Sequence, residues 1–175
     1  MPSPGPDLSD QQLSADYTLR NLQQQLVAVT GQADLKASIV ITAASITLSL
    51  AISRVNDERL RPGVLTLAFF VLLALVFAIF AVLPKYRLTG RPPVGQFNPF
   101  FFGHVALLDF EEYGMTMRTL IADQDRLYDA MLRDLHAQST YLLHRKFRPL
   151  RWAYVFVIVG FVAAIVVQVI AEISR

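Results

Sequence analysis

Cysteine is absent from the 175-residue chain. That absence removes disulfides, thiolate metal sites and cysteine nucleophiles together. Charge is scarce: 17% of residues are charged, against about 25% in a typical soluble domain. The net charge of +2 is too small to argue for a nucleic-acid polymer as partner. No nucleophile motif, phosphate-binding loop or dinucleotide fingerprint occurs, so an enzyme is not expected. The only histidines, His104, His136 and His144, have no second ligand at helical spacing, and no metal is expected.

What the chain has is apolar length. Hydrophobic residues make up 54% of it, gathered into three blocks, which is the signature of a small membrane protein. Residues 1–10 are expected to be a disordered tail. Their Pro-, Ser- and Gly-rich part, 1–7, has no basic run ahead of an apolar one and is not read as a signal peptide. Over residues 11–36, Ala15, Leu19, Leu22, Leu26, Val29 and Ala33 recur at steps of 4, 3, 4, 3 and 4. That narrow stripe is close to a coiled-coil seam and predicts a soluble amphipathic helix needing a partner.

The first span, 37–53, is short, and its polar residues are ordered. Ser38, Thr42, Ser45, Ser49 and Ser53 share one face, suited either to helix packing or to lining a pore in an oligomer. The second span covers 64–84, and Lys85, Tyr86 and Arg87 follow it as interfacial anchors. A loop is expected up to residue 97, from Gly90, Pro92, Pro93 and Gly95. The third span, 152–171, carries Trp152 and Tyr154 at its start, and Gly160 and Ala164 as a small-xxx-small pair.

Between spans 2 and 3 lies the segment 98–148. Tyr113, Met117, Leu120, Leu127, Met131, Leu135 and Leu142 mark one face of a long helix, with Gln124 and Gln138 filling missing turns and an interruption near Gly114. Asp123, Asp125, Arg126, Asp129, Arg133 and Asp134 mark its other side. Asp109, Glu111 and Glu112 read as a solvated helix start favoured by the helix dipole. The economical fold is all-α: three transmembrane helices, and a cytosolic bundle of the N-terminal helix with the long helix. Twelve of the sixteen Lys and Arg residues fall on the side of the N-terminus and the 98–148 segment. The positive-inside rule puts that side in the cytosol and the C-terminus outside.

Phe100, Phe101 and Phe102, after Asn98 and Pro99, have two readings. They dip into the membrane interface, or they wall a pocket that Gly103 lets a ligand approach. In the second reading a planar base stacks on a ring, and Arg118, Arg145, Lys146 or Arg148 supplies a cation for a phosphate. The basic run before Trp152 also suits a topology anchor facing anionic lipid.

Three motifs carry a resemblance. Ala33-Asp34-Leu35-Lys36-Ala37-Ser38 opens the first span, and Asn98-Pro99-Phe100-Phe101-Phe102-Gly103-His104 is followed by Glu111-Glu112-Tyr113. Leu142-Leu143-His144-Arg145-Lys146-Phe147 precedes the last span. In this order, over residues 19–171, they resemble the transmembrane effector family of the Pycsar antiphage systems; Phe147 stands where that family's usual pair is Lys-Tyr. The resemblance implies an inner-membrane effector that responds to cyclic CMP or cyclic UMP made by a partner cyclase. It further implies loss of membrane integrity and abortive infection, with homo-oligomers and no cofactor. The candidate ligand residues are Asn98, Phe101, Phe102, Gly103, Arg118, Arg145 and Lys146, placing the nucleotide between the 98–113 segment and the basic end of the long helix. The rival expectations are a membrane adaptor whose cytosolic helices bind a partner protein, and a constitutive channel.

Overall fold

The computed structural model describes residues 8–83 and 97–174, with side chains from residue 13 onward. Of the tail expected over 1–10, residues 1–7 lie outside the described residues, as do the anchors Lys85, Tyr86 and Arg87 and the loop over 88–96, whereas residues 8–10 are the start of α1 and not disordered. The described chain is helical without a strand: α1 (Leu8–Arg54), α2 (Arg61–Val82), α3 (Phe102–Val105), α4 (Phe110–Ile121), α5 (Gln124–Leu142), a π-helical segment (Leu143–Phe147) and α6 (Arg148–Ile173). The all-helical membrane fold read from the sequence is the fold observed, with three helices long and apolar enough to cross a bilayer. At 1.5 Å per residue the 22 residues of α2 reach about 33 Å, enough for a hydrocarbon core of about 30 Å.

Two differences from the sequence reading are local. The helix over 11–36 and the first span are one uninterrupted helix, because no proline separates them and Gly31 alone does not break α1. The long helix is broken at residues 122–123 and not at Gly114, which lies inside α4. Asp123 accounts for the break: its Oδ1 accepts from the Arg126 N–H at 3.2 Å and starts α5. Asp109 does the same for α4, accepting from the Glu112 N–H at 2.8 Å with Glu111 and Glu112 in the first turn.

The chain divides into two compact units. The first comprises Met1–Val29 and Lys85–Thr140. In it Leu19 and Leu135 are buried, and the Tyr128 hydroxyl donates to Asp16 at 2.9 Å, joining α5 to the first part of α1. Of the face foreseen for the central segment, Tyr113, Met117, Leu120, Leu127 and Met131 are half-buried and Leu135 is buried, whereas Gln124 and Gln138 are exposed.

The second unit comprises Thr30–Pro84 and Tyr141–Arg175 and holds the apolar helices. Its core is made of small residues. Ala37, Ala81 and Leu150 form one layer, and Val40, Ala78 and Ala153 the next, bringing α1, α2 and α6 together. Small side chains let backbones approach closely where lipid gives no hydrophobic drive for association. Gly160 shows how close. A Cβ there would stand 2.7 Å from the Phe70 Cβ. At the other end of α6, Gln168 bridges backbones: its Nε2 donates to the Arg59 carbonyl at 2.8 Å, and its Oε1 accepts from the Gly63 N–H at 3.2 Å. The second bond satisfies one of the unpaired N–H groups of the first turn of α2. Arg59 then pairs with Glu172, and this partner raises the guanidinium pKa.

The π-helical turn has a local cause. Pro149 lacks the N–H that would bond the Arg145 carbonyl, and its ring crowds that carbonyl. The helix widens, and the Arg148 N–H bonds back to the Leu143 carbonyl, five residues earlier.

Candidate functional site

In the first unit, residues Asn98 to His104 close on themselves through hydrogen bonds. The Asn98 N–H donates to His104 Nδ1 at 3.0 Å, and the Phe100 N–H donates to Asn98 Oδ1 at 2.9 Å. Because His104 Nδ1 accepts, its proton is assigned to Nε2. The imidazole is stacked on Phe97 with centroids 5.9 Å apart and meets Phe101 edge-on at 4.9 Å. Phe101 also covers Gly103: a Cβ on that glycine would fall 2.6 Å from Phe101 Cε1. Gly103 therefore admits a ring of its own chain, where the sequence reading had it admit a ligand.

One residue anchors this knot to α5. Asp134 is only 2% exposed, and its two oxygens accept from Asn98 Nδ2 at 2.7 Å and Gln138 Nε2 at 2.6 Å. Asp134 is thus not on the solvated side of the helix, where the charge pattern of the sequence puts it. A carboxylate can be buried when hydrogen bonds satisfy its oxygens, and two amides do so. The signal was present: Gln138, placed on the apolar face, is four residues after Asp134 and so shares its face.

The remaining candidates are distributed as follows. Phe102 is 55% exposed on α3, and Arg118 is exposed on α4. Arg145 and Lys146 belong to the second unit, in the π-helical segment. Arg145 is exposed. Lys146 is not available as a free cation: its Nζ donates to both Asp34 oxygens at 2.6 and 2.7 Å. A phosphate there would have to displace a carboxylate. Among the described residues no three His, Asp or Glu side chains gather as a metal site requires.

The hydroxyl face of α1 lies opposite its packed face. Ala33, Ala37, Val40, Ala44 and Ala51 are buried, whereas Ser38, Thr42, Ser45 and Ser49 are exposed. Ser45 and Ser49 return their hydroxyls to the carbonyls of Ile41 and Ser45 in their own helix. Among the described residues nothing covers this stripe.

Three apolar helices joined through small residues, in a chain that also carries a polar helical unit, define a multi-pass helical membrane protein. Its family can be named. The chain belongs to the Pycsar effectors, because the model of the Pycsar effector protein domain matches residues 18–171 and so takes in all three motifs. No curated protein and no solved structure matches it.

Proposed function

We propose that the chain is the membrane effector of a Pycsar antiphage system, and that it acts by binding a cyclic pyrimidine nucleotide, without catalysis, metal or cofactor. The observation that carries the reading is the family match, which runs from residue 18 to residue 171 and so includes polar unit and spans alike. In this reading the first unit lies in the cytosol of the bacterial cell and the C-terminus outside the inner membrane, as the excess of Lys and Arg on the N-terminal side favours. Cyclic CMP or cyclic UMP from a partner cyclase binds the first unit. Aromatic rings at Phe101 and Phe102 offer stacking surfaces, and Arg118 offers an exposed cation. Binding favours one arrangement of the helices over another. Copies of the chain then associate, the membrane loses integrity, and the infected cell dies before phage are released.

The test is isothermal titration of the detergent-purified protein with cyclic CMP, cyclic UMP, cyclic AMP and cyclic GMP, paired with dye release from vesicles containing it. Saturable binding of one pyrimidine nucleotide, weakened by Arg118→Ala, with dye release only when it is added, is the expected result. Folded protein that binds none of the four would move the reading to an adaptor for a partner protein. Dye release without nucleotide would move it to a constitutive channel.

A further inference from the structure

We propose that the first turn of α6 is a headgroup site for an anionic phospholipid, built from Arg148, Arg151 and Trp152. This inference rests on the membrane spans and is independent of nucleotide sensing. The packed side of this turn is set by Leu150, 4% exposed, and Ala153, fully buried. At about 100° per residue, Arg148, Arg151 and Trp152 fall on the opposite arc, and all three are exposed. Arg148 and Arg151 are three residues apart, and Arg148 and Trp152 four, so each arginine has a neighbour on the same patch.

Two observations make the patch more than a run of positive charge. Its cations are unspent. Lys146, just before it, gives its charge to Asp34, but neither arginine forms an ion pair among the described residues. The α6 sequence, moreover, holds no carboxylate before Glu172. Its aromatic wall is held in place as well. The Trp152 ring lies 6.1 Å from that of Phe156, which in turn lies 5.2 Å from Phe77 of α2. Trp152 is thereby propped on the apolar part of the bundle while remaining 53% exposed.

The chemistry fits a phosphodiester at the level of the membrane interface. Two guanidinium forks can each give paired N–H donors to its two unesterified oxygens. The indole N–H adds a further donor, and the ring lies along the first carbons of an acyl chain. A lysine anchor would provide only a point charge, without the planar fork that pairs with two phosphate oxygens at once.

Native mass spectrometry of the full chain, with phosphatidylglycerol or cardiolipin added to a neutral detergent, tests this directly. The expected result is saturable retention of anionic lipid, at least tenfold weaker in Arg148→Gln/Arg151→Gln and partly weakened in Trp152→Phe, which keeps a ring but loses the donor. Arg54→Gln/Arg61→Gln, which removes equal charge at the other end of α1 and α2, should leave retention unchanged. Equal unfolding temperatures of the variants in phosphatidylcholine nanodiscs establish that all are folded. Should both double variants lose lipid equally, bulk charge explains the binding and the proposal fails. Displacement of the lipid by inorganic phosphate or cyclic CMP would make this a site for free phosphate and would also overturn it.

Discussion

Lys146 holds Asp34 with its ammonium 2.6 and 2.7 Å from the two carboxylate oxygens, joining the π-helical turn to α1 at the head of the helix bundle. The lysine side chain is 16% exposed and the aspartate 42%. The pair therefore sits between the exposed regime, where ion pairs contribute little, and the buried regime, where breaking one is costly. Both residues belong to motifs that carry the family resemblance, and the contact gives them a joint structural role in the second unit. Asp34→Asn and Lys146→Met should each lower stability in detergent, with a coupling of about 1–2 kcal/mol in a double-mutant cycle. Additive effects would show that the pair contributes nothing beyond its separate residues.

Asp134 should prove more sensitive than its charged neighbours on α5. Asp134→Ala leaves the half-buried Asn98 amide without its acceptor and empties a buried site, at about 1–3 kcal/mol. Asp129→Ala removes only an exposed pair with Arg133 and should cost less than about 1 kcal/mol. Hydrogen exchange locates the effect. Protection at Phe100 and His104 should fall in Asp134→Ala and be unchanged in Asp129→Ala. Unchanged protection at Phe100 in both would mean that the knot stands without its anchor.

How legible the chain was depends on the kind of signal each part carries. The spans were plain because membrane burial is written in composition: residues from 64 to 83 contain no charge at all. Gly160 could also be read, since small residues spaced by four mark a close helix contact, and it meets Phe70 as such a residue should. Asp134 was misread because periodicity sorts residues by type, and a carboxylate is sorted outward unless its donors are known. One of those donors, Asn98, is 36 residues away. The Lys146–Asp34 pair spans 112 residues and leaves no local trace. Pro149 stood in plain sight as the cause of the π-helical turn, but whether a proline stops, kinks or widens a helix is decided by what packs around it.

Tyr128 provides a pH-dependent test of the first unit. Its hydroxyl donates to Asp16, and ionisation would both lose that bond and set two negative charges together, so its pKa is raised above the ordinary 10.0. A phenol whose folded pKa is raised binds its proton more tightly in the folded state. Its contribution to stability is fully present below the ordinary value and is lost as pH rises through the raised one. The wild type should therefore lose stability relative to Tyr128→Phe only on the alkaline side of pH 10. Parallel stability profiles for the two proteins through that range would show that the bond does not hold in solution.

The freedom from cysteine makes the hydroxyl face of α1 open to a clean experiment, because any cysteine introduced is unique. Ser45 and Ser49 point away from the buried Ala37, Val40 and Ala44, so association of copies through this face would bring like residues together across the interface. Ser45→Cys and Ser49→Cys should then form disulfide-linked dimers in membranes under mild oxidation, and more of them once the activating nucleotide is added. Ala44→Cys, turned into its own bundle, should not. The geometry is demanding, since a disulfide needs Cα atoms within about 7 Å. Helices meeting through small hydroxylated residues come that close, and helices separated by lipid do not. If Leu50→Cys, at an exposed apolar position, crosslinks as well as the two serine positions, contact is random collision. The serine hydroxyls would then bond only the carbonyls of their own helix, and the association would have to run through another face.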